Sequence, residues 1–153
     1  MTYARTTTVP VEKTEAEIKA TVRRYGADRF ASFEEPGRAA ITFEMRGRRV
    51  MFRMTLPAPS ERRFVEHSRG RRTPAAAEKE WEQACRARWR ALLLCLKAKL
   101  ESVEAGIESF EDAFLAQTVL PSGETFGDHV REDLGNAIAG GGPLMLTFGD
   151  GDA

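Results

Sequence analysis

The feature that most constrains the fold is a long stretch without helix breakers, which runs from Thr73 to Gly106. Thr73 suits a helix N-cap, and Pro74 suits the first helical position, where its missing N–H would have no partner. Gly106 suits the C′ position, because glycine enters the left-handed region cheaply. The roughly 32 residues between them would span about 48 Å of helix. Apolar side chains recur at spacings of three and four residues, which predicts an amphipathic helix on which the rest of the chain, or a second chain, must pack. These side chains are Trp81, Cys85, Trp89, Leu92, Leu96, Leu100 and Val103.

A hairpin is predicted before this helix, in the stretch AAITFEMRGRRVMFRMTLP. Its apolar and polar residues alternate with a period of two, which is typical of half-buried strands. A two-residue turn at Arg46 and Gly47 places the apolar sets on one face and leaves a net basic face opposite. The predicted pairs are Met45 with Arg48, Phe43 with Val50, Ile41 with Phe52, Glu44 with Arg49 and Ala40 with Arg53.

Capping boxes predict the remaining helices. They are Thr14 with Glu17, Ser109 with Asp112, and Thr125 with Asp128. The first helix would run to Tyr25, the second to about Gln117 and the third to about Ala139. Residues 28–34 form a weak third strand, and LMLTF (144–148) is an edge strand or a docking segment.

These elements predict an α+β fold with an N-terminal helix, a three-stranded antiparallel meander, one long central helix and short C-terminal helices. We divide the single domain 1–153 into an arm (1–13), the helix plus meander (14–57), a basic loop (58–73), the long helix (74–106), an acidic helical part (107–148) and a tail (149–153). No periodicity supports regular structure in the basic loop, which is either a solvated loop or a contact segment that is disordered until it binds.

Composition describes a globular protein without a membrane span. Hydrophobic residues make up 42% and charged residues 30% of the 153 residues, and no apolar run approaches ~18 residues. The N-terminal segment lacks the apolar core of a signal peptide. Cys85 and Cys95 are too far apart on one helix to form a disulfide, so both are expected to be reduced. We therefore expect a cytoplasmic protein.

Charge is unevenly distributed although the net charge is zero. Residues 36–99 hold 16 basic and 6 acidic side chains, whereas residues 100–153 hold 1 basic and 11 acidic ones. One interpretation is self-complementation, in which the acidic part packs beside the basic middle or two subunits pair head to tail. The other is a basic surface for a polyanion, which arginine suits because its planar guanidinium binds phosphate through a bidentate fork. The candidate nucleic-acid-binding residues are Arg46, Arg48, Arg49, Arg53, Arg62, Arg63, Arg69, Arg71, Arg72, Arg86, Arg90 and Lys97.

No catalytic or metal-binding signature is present. His67 and His129 lack a cysteine or a second histidine at ligand spacing, and the sequence contains no P-loop, G-x-S-x-G or G-x-G-x-x-G motif. Acidic residues near the C-terminal helices are better explained as caps than as a Mg²⁺ site. We therefore expect no enzyme, no cofactor and no metal.

Several motifs resemble those of small uncharacterised proteins from phages and prophages. They are RRYGADRF, FEMRGRRVMF, WRALLLCLKAKLESVEAGI, FEDAFLA and LPSGETFGDHV. The resemblance implies a setting among phage replication and recombination genes. The order helix, meander, long helix is also similar in outline to the core of Rad52-like single-strand annealing proteins and to double-stranded-RNA-binding domains. The 17-residue connection from Pro57 to Thr73 departs from the tight turn of the latter.

The leading hypothesis is a phage-type protein that binds or anneals single-stranded DNA as a homo-oligomer. Its arginines and Lys97 would line one groove, and the acidic part of one subunit would meet the basic middle of the next. The alternative is a protein-interaction module, such as a phage-encoded inhibitor or regulator of a host complex.

Overall fold

The computed structural model describes residues 3–141 of the chain. It has the predicted α+β architecture, in which helices pack on a three-stranded antiparallel sheet of order β1-β2-β3. The helices are α1 (Val11–Arg24), α2 (Arg62–Val65), α3 (Pro74–Glu104), α4 (Phe110–Ala113) and α5 (Phe126–Ala139). The strands are β1 (Arg29–Glu35), β2 (Arg38–Met45), β3 (Arg48–Thr55), β4 (Glu66–His67) and β5 (Gly70–Arg71). Two 3₁₀ turns occupy Tyr3–Thr6 and Leu115–Gln117.

The predicted hairpin is confirmed in its register. All five predicted pairs form between β2 and β3, including Phe43 with Val50 and Glu44 with Arg49. Arg46 has a φ of 51° and Gly47 a φ of 73°, and positive values at both positions define the type I′ turn that matches the twist of the strands. The alternation therefore buries one face of the sheet and leaves Glu44 and Arg49 on the other.

The long helix α3 is confirmed, together with both of its ends. Thr73 accepts a hydrogen bond from the Ala76 N–H at 3.2 Å. At the other end, the N–H of Gly106 donates to Val103 and the N–H of Ile107 donates to Ser102, which is the Schellman arrangement. Cys85, Trp89, Leu96 and Leu100 of the predicted stripe are buried, whereas Trp81, Leu92 and Val103 are only partly buried. Leu93, which was not predicted, is fully buried. The sequence pattern could not distinguish it from Leu92, because both are leucines and hydrophobicity does not choose between adjacent positions.

The core lies between the sheet and the two helices α1 and α3. The C-terminal segment closes its end, where the Phe114 ring makes edge-to-face contacts with Phe43 at 6.0 Å and Phe52 at 6.2 Å between centroids. The largest fully buried apolar side chains are Trp89, Phe43, Phe110, Phe114, Ile18, Ile41, Leu93, Leu96, Leu100, Val22 and Val50.

The start of the first helix was predicted wrongly. It begins at Val11 with Pro10 at the N-cap, and Thr14 is buried inside the helix instead of capping it. The small Thr14 side chain faces the core, so tertiary packing overrides its capping preference. The segment before α1 also packs on α3, where the Gln83 side-chain amide donates to the carbonyls of Arg5 and Thr7.

The basic loop is ordered, contrary to the prediction. It contains α2 and the small antiparallel pair β4–β5, and Phe64 at its centre is buried. A single aromatic anchor leaves no periodic pattern, so no sequence signal predicts structure in this loop.

The C-terminal part follows the predicted caps. Ser109 and Thr125 accept N–H bonds from Asp112 and Asp128, respectively. The predicted helix to Gln117 is instead α4 followed by a 3₁₀ turn, because Phe114 leaves helical geometry as its ring enters the core. The predicted LMLTF segment and the tail lie outside the described residues.

Candidate nucleic-acid interface

The candidate interface centres on residues 62–72, which we call the basic hairpin. Phe64 on α2 is buried and fixes the segment to the domain. The strands that follow pair Glu66 with Arg71 and His67 with Gly70. Gly70 has a φ of 127°, which only glycine adopts without strain, so the turn depends on it. The basic hairpin is therefore a fixed scaffold for its arginines.

Arg72 holds this scaffold together. Its Nη1 donates to the carbonyl oxygens of Arg63 at 2.8 Å, Phe64 at 3.1 Å and Glu66 at 2.7 Å. Nη1 therefore ties α2 to β4 with both of its hydrogens, whereas Nε and Nη2 make no hydrogen bond within residues 3–141. The structure thus gives Arg72 a supporting position within the predicted set.

Two other arginines of the basic hairpin pair with neighbouring carboxylates. Arg62 contacts Glu66 at 2.6 Å and Arg63 contacts Glu61 at 2.7 Å. Both arginines are solvent-exposed, and exposed pairs contribute only about 0–1 kcal/mol. A phosphate could replace either carboxylate at small cost.

Arg69 and Arg71 are the unneutralised cations of the basic hairpin. Both are exposed, and neither side chain makes an ion pair or hydrogen bond with any residue in the range 3–141. The Arg69 main-chain N–H donates to Nδ1 of His67 at 3.0 Å, which fixes the turn. The two guanidiniums on this ordered hairpin are therefore the groups available to bind an anion.

The basic face of the β2–β3 hairpin is largely neutralised. Arg49 contacts Glu44 at 2.7 Å. This hydrogen bond outweighs the opposing effect of desolvation and, together with the charges of Arg29 and Arg49, holds the pKa of Glu44 below its ordinary value. Arg53 pairs with Asp128 of α5.

The turn of the same hairpin meets the acidic C-terminal part. Arg48 lies 3.4 Å from Glu111, and Arg46 lies over the ring of Phe110 at 5.4 Å. Two of the predicted site arginines, Arg48 and Arg53, therefore pair with acids after residue 100, which is the self-complementation that one interpretation of the charge pattern predicted.

The three predicted site cations of α3 have different environments. Arg90 is mostly buried between helices and contacts Glu17 of α1 at 2.7 Å. Arg86 donates to Gln83 at 2.7 Å and makes the predicted pair with Glu82 at 3.9 Å. Lys97 is exposed, and no contact to Glu101 forms in the described chain, although that pair was predicted.

The twelve predicted residues therefore do not share one groove. Arg49 and Arg53 lie on the outer face of the sheet, whereas Arg90 lies with α3 behind the inner face. The residues that the structure brings together are those of the basic hairpin.

The two tryptophans of α3 serve packing, as predicted. Trp89 is buried in the core, and Trp81 donates from Nε1 to the Pro57 carbonyl at 2.7 Å.

Sequence reasoning missed an apolar groove of about 980 Å³. Its lining includes the apolar side chains of Val11, Leu56 and Trp81 and the carboxylates of Glu12 and Glu34. Burial, and then the charge of Glu34, raises the pKa of the Cys85 thiol in its wall. The lining comes from four separate segments, so no contiguous sequence pattern could reveal it.

Comparisons with known proteins add no assignment to this geometry. No family model, curated protein or solved structure matches the chain. Within residues 3–141, no three histidine, cysteine, aspartate or glutamate side chains gather where they could hold a metal ion. None of the helices in that range is long and apolar enough to cross a membrane.

Proposed function

We propose that this protein binds nucleic acid through arginine–phosphate contacts centred on the basic hairpin. The observation that carries the proposal is the exposure of Arg69 and Arg71 on an ordered turn without a carboxylate partner in the described chain. A rigid scaffold reduces the entropy that the arginines lose on binding. The contacts would recognise phosphates and not bases, so binding would tolerate any sequence.

Exchangeable ion pairs extend the same surface. Arg62 and Arg63 would release Glu66 and Glu61 and turn to phosphates, because their present pairs are exposed and weak. Single-stranded DNA is the favoured ligand because of the resemblance to phage proteins, whose genes lie among replication and recombination functions. Annealing of strands in that setting is part of the proposal.

The test is fluorescence anisotropy with a labelled single strand of ~30 nucleotides, titrated at ~50 and ~200 mM salt. Binding should weaken steeply between the two, because each phosphate contact releases counterions. Replacing Arg69 and Arg71 together with alanine removes two contacts. We expect affinity at the lower salt to fall about tenfold or more, and the slope of log K against log salt to become shallower by about 1.4.

A matched control separates this site from a general charge effect. Arg23 and Arg24 are exposed in the last turn of α1, so R23A/R24A makes the same charge change on another element. The control should bind nearly as tightly as the unmodified protein. Equal losses in both double variants would remove the basic hairpin as the site, and no binding at ~50 mM salt would overturn nucleic-acid binding itself.

A second candidate is a protein-interaction module, and the exposed stripe of α5 favours it. Leu134 and Ile138 are 59% and 71% exposed. The first turn of the helix, in contrast, contacts the sheet through the ion pair of Asp128 with Arg53. Glu132 and Asp133 beside them are exposed and have no ion-pair partner in the described chain. The fitting partner is a host protein with an apolar cleft and a basic rim.

The two candidates differ in what accompanies the purified protein. Copurifying nucleic acid raises the 260/280 absorbance ratio and favours the first. The second candidate is favoured if the preparation is free of nucleic acid and a protein partner with a basic rim copurifies. That partner should no longer bind L134D/I138D but should still bind R69A/R71A. Circular dichroism would check that both variants are folded.

A further inference from the structure

The free edge of β1 is an unpaired surface of the sheet. At the opposite edge, the first half of β3 is covered, since Thr118 bridges to Val50 and the Val119 N–H donates to the Arg49 carbonyl at 2.8 Å. The strand β1 pairs with β2 on one side, and no other strand within residues 3–141 pairs with its second side. A seven-residue edge strand is a template for pairing with another chain.

The turn between β1 and β2 determines which main-chain groups point to this edge. The turn contains two residues, so Glu35 and Arg38 close the hairpin as a hydrogen-bonded pair. Alternate residues then direct their N–H and C=O groups to opposite sides. Phe30, Ser32 and Glu34 point theirs away from β2, towards the free edge.

The sequence of β1 is complementary to itself in the antiparallel direction. When a second β1 pairs with the first about a two-fold axis at Ser32, Arg29 lies opposite the partner's Glu35, and Ala31 opposite the partner's Phe33. Phe30, Ser32 and Glu34 would then exchange six main-chain hydrogen bonds, three donated by each copy. A slip by one residue would lose both the charge pairing and the hydrogen bonds.

We propose that two copies of this chain join through β1 into one continuous six-stranded antiparallel sheet. The solvent-exposed face of the sheet favours a second copy of the chain as the partner. Phe33 on this face is 62% exposed and would pack on the partner's Ala31. Arg29 already lies 3.6 Å from Glu44, so the partner's Glu35 would complete an interchain network of charges. The two-fold axis makes each of these contacts twice.

Helix α1 supplies a second complementary contact on the other face. It lies along the same edge, where Glu12, Glu15 and Lys19 border a shallow depression with Phe30 and Ser32, and Ser32 donates to Glu15. The same axis brings Glu12 opposite the partner's Lys19, and Lys19 opposite the partner's Glu12. Neither residue has an ion-pair partner in the described chain, so both are available for the dimer.

The contact is one strand and one helix per copy, which is at the small end of specific interfaces, below about 1,200 Å². We therefore expect a reversible dimer that sedimentation velocity detects as concentration rises through the micromolar range. This inference is independent of nucleic-acid binding, because none of its residues belongs to the basic hairpin and the measurement contains no nucleic acid.

Charge reversal with rescue tests the register. R29E and E35R should each weaken dimerisation about tenfold, since each introduces two like-charge cross-strand contacts. R29E/E35R should recover part of the loss, because the interchain pairing is restored while the intrachain pairs of Arg29 with Glu44 and of Glu35 with Arg38 are not. K79E and E101R make matched charge changes at exposed positions of α3 and should dimerise like the unmodified chain. Thermal unfolding would verify that every variant is folded.

Hydrogen exchange supplies an independent readout. The amides of Phe30, Ser32 and Glu34 should exchange quickly in dilute protein and become protected as the dimer forms. A monomer at all concentrations would overturn the proposal, as would a dimer that tolerates both single reversals. Growth beyond the dimer would indicate a head-to-tail contact instead and would equally overturn it.

Discussion

Three consecutive leucines of α3 provide the sharpest test of how this domain is packed. Leu93 is 0% exposed within the core, Leu92 is half-buried, and Leu94 is 36% exposed. Each change to alanine deletes the same atoms from the same helix. Differences in the free energy of unfolding therefore report burial and cavity formation, and not helix propensity.

The expected losses follow this order. L93A removes a fully buried side chain and leaves a cavity among Trp89, Leu96 and the sheet, so it should cost about 3 kcal/mol. L92A should cost about 1.5 kcal/mol and L94A no more than about 0.5 kcal/mol, since water already reaches part of these side chains.

Urea unfolding followed by circular dichroism measures these losses. The midpoint should shift while the slope of free energy against urea stays constant, and the melting temperature of L93A should fall by roughly 6–12 °C. Comparable losses for L92A and L93A would show that α3 is rotated from the orientation described here. A larger loss for L94A would refute the packing of α3 on the sheet.

The remaining predictions concern a cap, two thiols and one carboxylate. T73A should cost about 1 kcal/mol in urea unfolding because the Ala76 N–H loses its acceptor, whereas T73S should cost less. Cys95 should react with a thiol reagent near neutral pH, while Cys85 should stay protected in the folded protein because burial raises its pKa; equal rates would contradict its placement. Glu44 has a lowered folded pKa, so its contribution to stability is present above its ordinary value of 4.5 and disappears as pH falls through the folded value. E44Q should therefore flatten the acid side of the stability profile, and an unchanged profile would refute the contact with Arg49.

The distribution of charge shows why linear sequence overstated the basic surface. Residues 36–99 are strongly basic in sequence, yet Arg48 and Arg53 meet acids that lie far along the chain, and Arg90 meets Glu17 from α1. Long-range pairs of this kind are invisible to a count over consecutive residues. Arg69 and Arg71 are the arginines of the basic hairpin without an acidic partner in the described chain. They could be identified only once the ion pairs of the other arginines were known.

Local sequence determined the elements whose signals are themselves local. Thr73, Gly106 and the turn at Arg46 and Gly47 fixed the ends of α3 and the register of the hairpin, because caps and two-residue turns involve neighbours in the chain. The same reasoning placed the caps at Ser109 and Thr125 correctly.

Tertiary structure decided everything that depends on contacts between distant segments. Burial against the core moved the start of α1 to Val11 and selected Leu93 over Leu92. One buried side chain, Phe64, and the three carbonyl bonds of Arg72 ordered a segment that has no periodic pattern. The free edge of β1 belongs to the same group, because a strand becomes an edge only when the rest of the sheet is placed. Packing and pairing depend on which segments meet in space, and that information is not contained in any short stretch of the sequence.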